Sequence, residues 1–472
     1  MSPVARIIEL NRRRFGVPAH ERIVFANGMT LVIVPRRAVP LVAFQLLIRG
    51  GALGDPPDRA GVASLTAGLF DKGAGERDAA AFALSVEGAG GSFAASAAAE
   101  CISVNGQFLA QDQERMLALL ADAVMAPRFA AAEFARQRQR QIGHIRSLKD
   151  SDPSELLSQY GRGLLFGGHP YGRPATGSED TLQAITLRDV IEYHRRHIGA
   201  DRAVLVVAGD IDAAWLKAQV GQRFATWRAA AAALPTLAPT LKLRQRRVLL
   251  VDAPGAAQAY FWLGATGLDR AYPKRAALDL VNALFGGRFT SLLNTELRVR
   301  TGLSYGAGSG FTRGRVAGEF AIRSFAETRH TVRAIDLALA TLAKLKRAGV
   351  TQAMLDSARS YLMGQYPMNL ETAADWAAQL AELELYGLDP GYIEGYGPAL
   401  RRASLEDARQ VIDAAFPIGR QLALVVMGDA AQLRGRLERY GPVQQLAMAA
   451  GSFTPVVGNG APSSGRAVSR LP

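Results

Sequence analysis

The stretch Ala203–Asp210 reads Ala-Val-Leu-Val-Val-Ala-Gly-Asp, and a near copy, Ala-Leu-Val-Val-Met-Gly-Asp, occupies Ala423–Asp429. The aspartates that end the two copies are 219 residues apart. A second pair agrees, because Leu187 in Ile-Thr-Leu-Arg-Asp-Val and Leu405 in Ala-Ser-Leu-Glu-Asp-Ala are 218 residues apart. Two matches at nearly one spacing indicate a duplication, with a period far longer than that of a solenoid. The chain is therefore predicted to contain two copies of one fold.

Each copy begins with strands and continues with helices. Residues 22–34 are predicted to form a hairpin, because Asn27-Gly28 supplies the positive φ angles of a tight turn between two β-rich runs. Residues 41–49 continue as a third strand, and helical periodicity follows from about Gly61. Residues 186–189, Thr-Leu-Arg-Asp, have the spacing of a capping box at a helix start. Strands, then helices, then a returning strand predict an α+β fold whose sheets carry helices on one face.

Length and composition predict two domains joined by a linker and followed by a tail. A chain of 472 residues suggests about two domains of roughly 200 residues each. We predict an N-terminal domain over residues 1–228, a proline-bearing linker over 229–243 and a C-terminal domain over 244–445. The tail, residues 446–472, becomes rich in Gly, Ser and Pro and is expected to be disordered.

The chain is strongly basic, with a net charge of +13. Such a charge could serve nucleic acid, an anionic membrane or an acidic protein. The basic residues are scattered, with neither zinc-finger spacing nor a basic repeat interleaved with aromatics, so we expect no nucleic acid and favour an acidic partner subunit. No apolar window is long enough to span a membrane. The N-terminus lacks an apolar signal core, which predicts a cytoplasmic location, or a periplasmic one if a leader has been removed.

Residues 60–73, Ala-Gly-Val-Ala-Ser-Leu-Thr-Ala-Gly-Leu-Phe-Asp-Lys-Gly, are the main indication of function. This segment resembles the inverted zinc motif His-x-x-Glu-His of the pitrilysin/insulinase family of metallopeptidases, which includes the mitochondrial processing peptidases. Ser64 and Gly68 stand where that family has its two histidines, and Ala67 stands where it has the glutamate base. The family's third zinc ligand is a glutamate on a later helix, and His144 stands at that position.

These replacements remove the chemistry of the motif. Two imidazoles at i and i+4 share one helix face and hold one Zn²⁺, while the glutamate between them deprotonates the bound water. Gly68 has no side chain, Ser64 is a poor zinc ligand at neutral pH, and Ala67 cannot take a proton. A single histidine, His144, does not make a zinc site. We therefore expect no metal and no activity in this chain alone, and the resemblance implies Zn²⁺ in a partner subunit that carries His-x-x-Glu-His.

A second motif keeps its functional residues. Residues 297–305, Leu-Arg-Val-Arg-Thr-Gly-Leu-Ser-Tyr, resemble the family's Leu-Arg-x-x-x-Gly-Leu-x-Tyr element. There the arginine and the tyrosine reach across a chamber to bind substrate near the scissile carbonyl, and the resemblance assigns this role to Arg298 and Tyr305. A guanidinium and a phenol are donors that can hold a peptide carbonyl and stabilise the oxyanion that develops on it. The alternative is an ordinary surface arginine beside a strand aromatic.

The resemblance covers about residues 20–445 and implies the architecture. It implies two homologous α+β domains, each a mostly antiparallel sheet with helices packed on one face, that together form a half-shell closed by a second half-shell. The glycine-rich stretch 88–96 also matches the family, where it precedes an edge strand that pairs with extended substrate in active subunits. Whether residues 88–104 bind peptide in this chain stays open.

Three hypotheses for function follow. The first is a non-catalytic subunit of a heterodimeric zinc metalloendopeptidase, in which Arg298 and Tyr305 act on a peptide substrate held at the partner's zinc. The second is a purely structural scaffold, like the core subunits of the respiratory cytochrome complex that share this fold. The third is a homodimeric peptide-binding clamp without metal or turnover. Retention of Arg298 and Tyr305 favours the first, because a scaffold has no need of them. Substrate identity, cleavage specificity and the partner's identity stay open.

Overall fold

The computed structural model describes residues 16–240 and 242–455. Within them, each half of the chain forms a six-stranded, mostly antiparallel sheet, and helices follow the strands. The strands of the first half are β1 (Glu21–Val24), β2 (Thr30–Pro35), β3 (Leu41–Arg49), β4 (Gly73–Ala74), β5 (Arg77–Asp78), β6 (Ser92–Ala97), β7 (Cys101–Leu109) and β8 (Ala203–Gly209), of which β4 and β5 form a separate two-stranded sheet. Those of the second half are β9 (Val248–Asp252), β10 (Gln258–Thr266), β11 (Ala307–Arg313), β12 (Gly318–Glu327), β13 (Ala423–Gly428) and β14 (Val443–Ala447).

The helices are distributed over both halves. Those of the first half are α1 (Val62–Ala67), α2 (Ala79–Glu87), α3 (Gln113–Met125), α4 (Ala131–Ser151), α5 (Leu157–Phe166), α6 (Glu179–Ala184), α7 (Leu187–His197) and α8 (Ala213–Arg223). Those of the second half are α9 (Arg275–Asn282), α10 (Leu292–Asn294), α11 (Thr331–Ala348), α12 (Gln352–Gln365), α13 (Ala373–Tyr386), α14 (Gly391–Glu394), α15 (Tyr396–Arg402), α16 (Leu405–Ala415) and α17 (Ala430–Leu437). None of the helices in the described ranges is long and apolar enough to cross a membrane.

The two sheets repeat each other and differ at one edge. Their strand orders are β1-β2-β8-β3-β7-β6 and β14-β9-β13-β10-β12-β11. The apolar strand that the sequence repeats lies at the same place in each sheet. Strand β8 is parallel to β2 and antiparallel to β3, and β13 is parallel to β9 and antiparallel to β10. The outer strand differs, because β1 forms an antiparallel hairpin with β2, whereas β14 runs parallel to β9. The α+β prediction and the duplication are confirmed.

The predicted hairpin and capping box both form, although the hairpin turn differs in one detail. The hairpin joins β1 to β2, but only Gly28 of the Asn-Gly pair has a positive φ, 88°. Asn27 instead uses its side chain, accepting a hydrogen bond from the Met29 N–H at 3.2 Å and donating one to the Phe224 carbonyl at 2.8 Å. Capping boxes begin both α7 and α16, which is a further match between the two halves.

Each sheet is covered on its second face by a helix of the other half. On β2, Leu31 and Ile33 pack into the core of the first half, whereas Val32 and Val34 pack against α13 of the second half. Helix α5 of the first half lies in turn against β10 and β13, where the Gly161 backbone approaches the Trp262 ring too closely to leave room for a Cβ. Because β8 and β13 are buried on both faces, they are continuous apolar runs rather than alternating ones.

The chain stays packed beyond the predicted domain end at residue 445. Strand β14 continues to Ala447, and Lys149 Nζ of the first half donates to the Ala450 carbonyl at 2.6 Å. Phe453 is 4% exposed, with its ring centroid 5.1 Å from that of Tyr160. The disorder predicted from residue 446 therefore does not extend over residues up to 455, while 456–472 lie outside the described residues. The other predicted domain boundaries stay predictions.

Phe453→Ala is expected to lower the free energy of unfolding by about 3 kcal/mol, because it empties an aromatic site in the core of the first half. Urea denaturation of the purified chain measures the change. The matched control is Gln444→Ala on the exposed side of β14, which is expected to change stability little. A Phe453→Ala variant as stable as that control would contradict the packing.

Candidate functional site

The segment that resembles the zinc motif begins at a buried carboxylate. Asp55 is 3% exposed and accepts hydrogen bonds from the backbone N–H groups of Gly61 at 2.7 Å and Ala63 at 3.1 Å, at the start of α1. Burial raises the pKa of Asp55 to about 7, although the two N–H donors and the nearby Arg173 favour its charged form. The backbone of the motif is thus held in place by a residue outside the motif.

The stability of the chain is expected to carry a pH dependence from Asp55. Since the pKa in the folded state lies above the usual value near 4, the folded chain binds more protons than the unfolded chain between about pH 4 and pH 7. This contribution to the free energy of unfolding is therefore present at low pH and is lost as the pH rises through that window. Denaturation of the wild type and Asp55→Asn at pH 4.5 and 7.5 measures it. The free energy of unfolding of the wild type, minus that of Asp55→Asn, should fall from pH 4.5 to pH 7.5, and a rise would contradict the assignment.

The positions of the missing zinc ligands face two glutamines. Ser64 Oγ accepts a hydrogen bond from Gln141 Nε2 of α4 at 3.2 Å. A Cβ added at Gly68 would overlap Gln137 Nε2 of the same helix. Ala67, where the family has its base, is fully buried. Neutral amides therefore lie beside the positions that the resemblance assigns to the zinc ligands.

His144 lies one turn further along α4 than Gln141, and its side chain is exposed. It lines a cavity of about 770 Å³ together with Gly68, Gln137 and Phe93. In the described ranges, no group of three or more His, Cys, Asp or Glu side chains is placed to hold a metal ion. Ser64, Ala67, Gly68 and His144 offer one nitrogen donor between them, so these residues do not fit zinc.

The second motif forms a tight turn. Arg298 lies in the π-helical turn Thr295–Arg300, which follows α10. Gly302 adopts a positive φ of 61°, which favours glycine at this position. Buried Ser304 then accepts a hydrogen bond from the Gly306 N–H at 3.1 Å and leaves its neighbour Tyr305 pointing outward, 74% exposed.

Arg298 and Tyr305 are brought together. The guanidinium carbon of Arg298 lies 4.2 Å from the centroid of the Tyr305 ring and 4.8 Å from that of Phe289. Among the residues that the structure describes, the Arg298 guanidinium has no hydrogen bond or ion pair, whereas the Arg300 guanidinium on the same turn pairs with Glu296 at 2.8 Å. The arrangement presents an unpaired guanidinium and a phenol hydroxyl side by side, and both groups can donate to an incoming oxygen.

The two groups of site residues belong to different halves. The cavity beside Gly68 and His144 is lined by residues of the first half, and β6 borders it as an edge strand of the first sheet. Arg298, Tyr305 and Phe289 all belong to the second half. No hydrogen bond, ion pair or ring contact within residues 16–240 and 242–455 joins the two groups. A site that used both motifs would therefore combine surfaces rather than one pocket of this chain.

Sequence reasoning missed three side chains that contact the predicted positions. Gln137 and Gln141 could have been found from their i, i+4 spacing on the helix that carries His144. Phe289 lies in the run Phe-Gly-Gly-Arg-Phe, which reads as an ordinary glycine loop. Its contact with Arg298 bridges nine positions of chain and could not be read from spacing.

Family models place the chain. Residues 31–175 match a model described as insulinase (peptidase family M16), and residues 184–362 match one described as the peptidase M16 inactive domain. The chain belongs to the insulinase family of peptidases, M16. The sequence contains no His-x-x-Glu-His motif, so within that family this member lacks the catalytic motif.

Relatives span most of the chain. An uncharacterized zinc protease of Mycobacterium leprae is 26% identical over 78% of this chain and 82% of its own length. One of Bacillus subtilis is 24% identical over 75% of this chain and 85% of its own length. A solved peptidase M16 inactive domain from Pseudomonas fluorescens superimposes with a TM-score of 0.81 at 25% identity, covering 87% of this chain and 98% of that one. A protease from Helicobacter pylori, at 22% identity and a TM-score of 0.81, has the same fold over 87% of this chain and 99% of its own.

The purified chain is incubated with zinc and then dialysed against zinc-free buffer. It is expected to retain well below one zinc ion per molecule. The control restores the family's groups with Ser64→His, Ala67→Glu, Gly68→His and His144→Glu, and that variant is expected to retain about one ion. Elemental analysis by mass spectrometry measures both. Stoichiometric zinc in the wild type would show that the described side chains do form a metal site.

Proposed function

We propose that this chain is the non-catalytic subunit of a heterodimeric zinc metalloendopeptidase. A partner chain with an intact His-x-x-Glu-His motif would supply the zinc and the glutamate base, and this chain would supply Arg298 and Tyr305. The observation that carries the proposal is the unpaired guanidinium of Arg298, which is presented on a 74% exposed tyrosine. Loss of the metal-binding groups in one half, with retention of the donor pair in the other, is what a division of labour between two chains would leave.

The chemistry of the pair suits a peptide carbonyl. An arginine keeps its positive charge at all physiological pH values and offers several N–H donors in one plane. A carbonyl oxygen under attack becomes an oxyanion, so a fixed positive charge stabilises the transition state more than the bound substrate. Tyr305 adds a neutral donor beside that charge. Neither group would break a peptide bond without the partner's chemistry.

The scaffold hypothesis accounts less well for the same residues. A large aromatic side chain in solvent gains little from burial, and a guanidinium without a carboxylate partner adds no ion pair to the fold. A purely structural subunit would tolerate loss of both. Co-purification discriminates the two, because a zinc-bearing chain of similar size supports the proposal and a membrane complex supports the scaffold.

Peptide hydrolysis is expected only when this chain is mixed with a zinc-bearing family member encoded beside it. In that mixture, Arg298→Ala should lower kcat/KM about 10²-fold, the usual effect of removing an oxyanion donor. Tyr305→Phe keeps the ring against Arg298 but removes the hydroxyl, and it should lower kcat/KM about tenfold. Cleavage of a quenched fluorescent peptide library measures these rates.

The matched control is Arg300→Ala, which removes an arginine from the same turn, one that is already paired with Glu296. Its rate should equal that of the wild type. If Arg298→Ala also equals the wild type in an active mixture, the proposed role of Arg298 is refuted.

A further inference from the structure

We infer that Phe289 is a positioning residue that, with Tyr305, holds the Arg298 guanidinium between two aromatic rings for substrate binding. The inference rests on the proposed function and adds to it a residue outside the Leu-Arg-x-x-x-Gly-Leu-x-Tyr element. In the absence of a carboxylate, the two rings are the partners that the structure provides for this cation.

The two rings act on the orientation of a long side chain. An arginine side chain in solvent has many rotamers, and each hydrogen bond it makes must offset the loss of that freedom. Ring centroids at 4.8 Å and 4.2 Å lie within the range of cation–π attraction, and they confine the guanidinium without using its N–H donors. A carboxylate partner would have occupied those donors. Arg298 is thereby ordered and still able to bind a carbonyl.

A single buried amide fixes the loop of Phe289 relative to that of Tyr305. Asn294 is buried, and its Nδ2 donates to the Phe289 carbonyl at 2.7 Å. Its Oδ1 accepts a hydrogen bond from the Ala307 N–H at 3.3 Å, just after Tyr305. Asn294 therefore links the loop of Phe289 to the strand that follows Tyr305 by hydrogen bonds within the core.

The exposure of Phe289 indicates a role other than core packing. Phe289 is 63% exposed, so its burial contributes little to folding. The side chain before it, Arg288, is fastened to Ser357 by a hydrogen bond from Nη1 to Oγ at 3.1 Å, which limits the movement of the loop. An exposed phenylalanine on a fastened loop is suited to contact Arg298.

Nuclear magnetic resonance tests the ring contact in the chain alone. The side-chain protons of Arg298, held over two rings, should show an upfield ring-current displacement in a sample with labelled arginine, and Arg298→Lys assigns the signal. Phe289→Ala should reduce the displacement. Val299→Ala, which truncates a similarly exposed apolar side chain on the same turn, should leave it unchanged. An undisplaced signal in the wild type would overturn the inference.

Kinetics of the active mixture test the consequence. Phe289→Ala should lower kcat/KM about tenfold, with Phe289→Trp and Val299→Ala close to the wild type. In the Arg298→Ala background, Phe289→Ala should have no further effect, because there is no guanidinium left to position. If Phe289 instead acted only through the folding of its loop, Phe289→Ala would lower kcat/KM further in the Arg298→Ala background.

The outcomes distinguish failure of the positioning role of Phe289 from failure of the proposed function. A normal rate in Phe289→Ala beside a defective Arg298→Ala overturns the inference and leaves the proposed function standing. A normal rate in Arg298→Ala refutes the proposed function and the positioning role with it. Additive losses also overturn the inference, since they place the effect of Phe289 somewhere other than on Arg298.

Discussion

The structure depends on the burial of two apolar strands, β8 and β13, from both sides. Each lies inside a six-stranded sheet, and one sheet face cannot be covered by the helices of its own half alone. Each half provides the helix that covers this face of the other half's sheet. Helix α13 covers the first sheet, and α5 covers the second. Separating the halves would expose the second face of both sheets to water, so neither half is an independent body in the usual sense of a domain.

The first half shows how a fold can persist after its chemistry is lost. The helix of the zinc-like frame is held by Asp55, a residue outside the motif, and by packing around fully buried Ala67. These contacts do not involve the side chains at positions 64 and 68, so they do not depend on which residues stand there. The Gln141 amide donates to Ser64, and the Gln137 amide lies against Gly68.

In the second half, Tyr305 of the motif is exposed, and buried side chains hold the segments that carry the motif. Arg298, Tyr305 and Phe289 contribute little to the core, yet buried Asn294 and Ser304 fix the segments that present them. Burial of the Asn294 and Ser304 side chains carries a desolvation cost, which their hydrogen bonds offset. Both motifs are therefore supported from within by buried polar side chains, but in the second motif the supported Tyr305 side chain is exposed.

The sequence by itself determined the α+β class, the duplication, the strand at 41–49 and the capping box at Thr186, because each is set by local periodicity or short-range hydrogen bonding. It also determined that Ser64, Ala67 and Gly68 cannot hold zinc, which is a property of those side chains alone. Tertiary structure decided the exchange of α5 and α13, the packing of residues 446–455, the glutamines beside the frame and the contact of Phe289 with Arg298. These join residues far apart in the chain through shape and burial, and no residue type or spacing in the sequence specifies which distant surfaces meet.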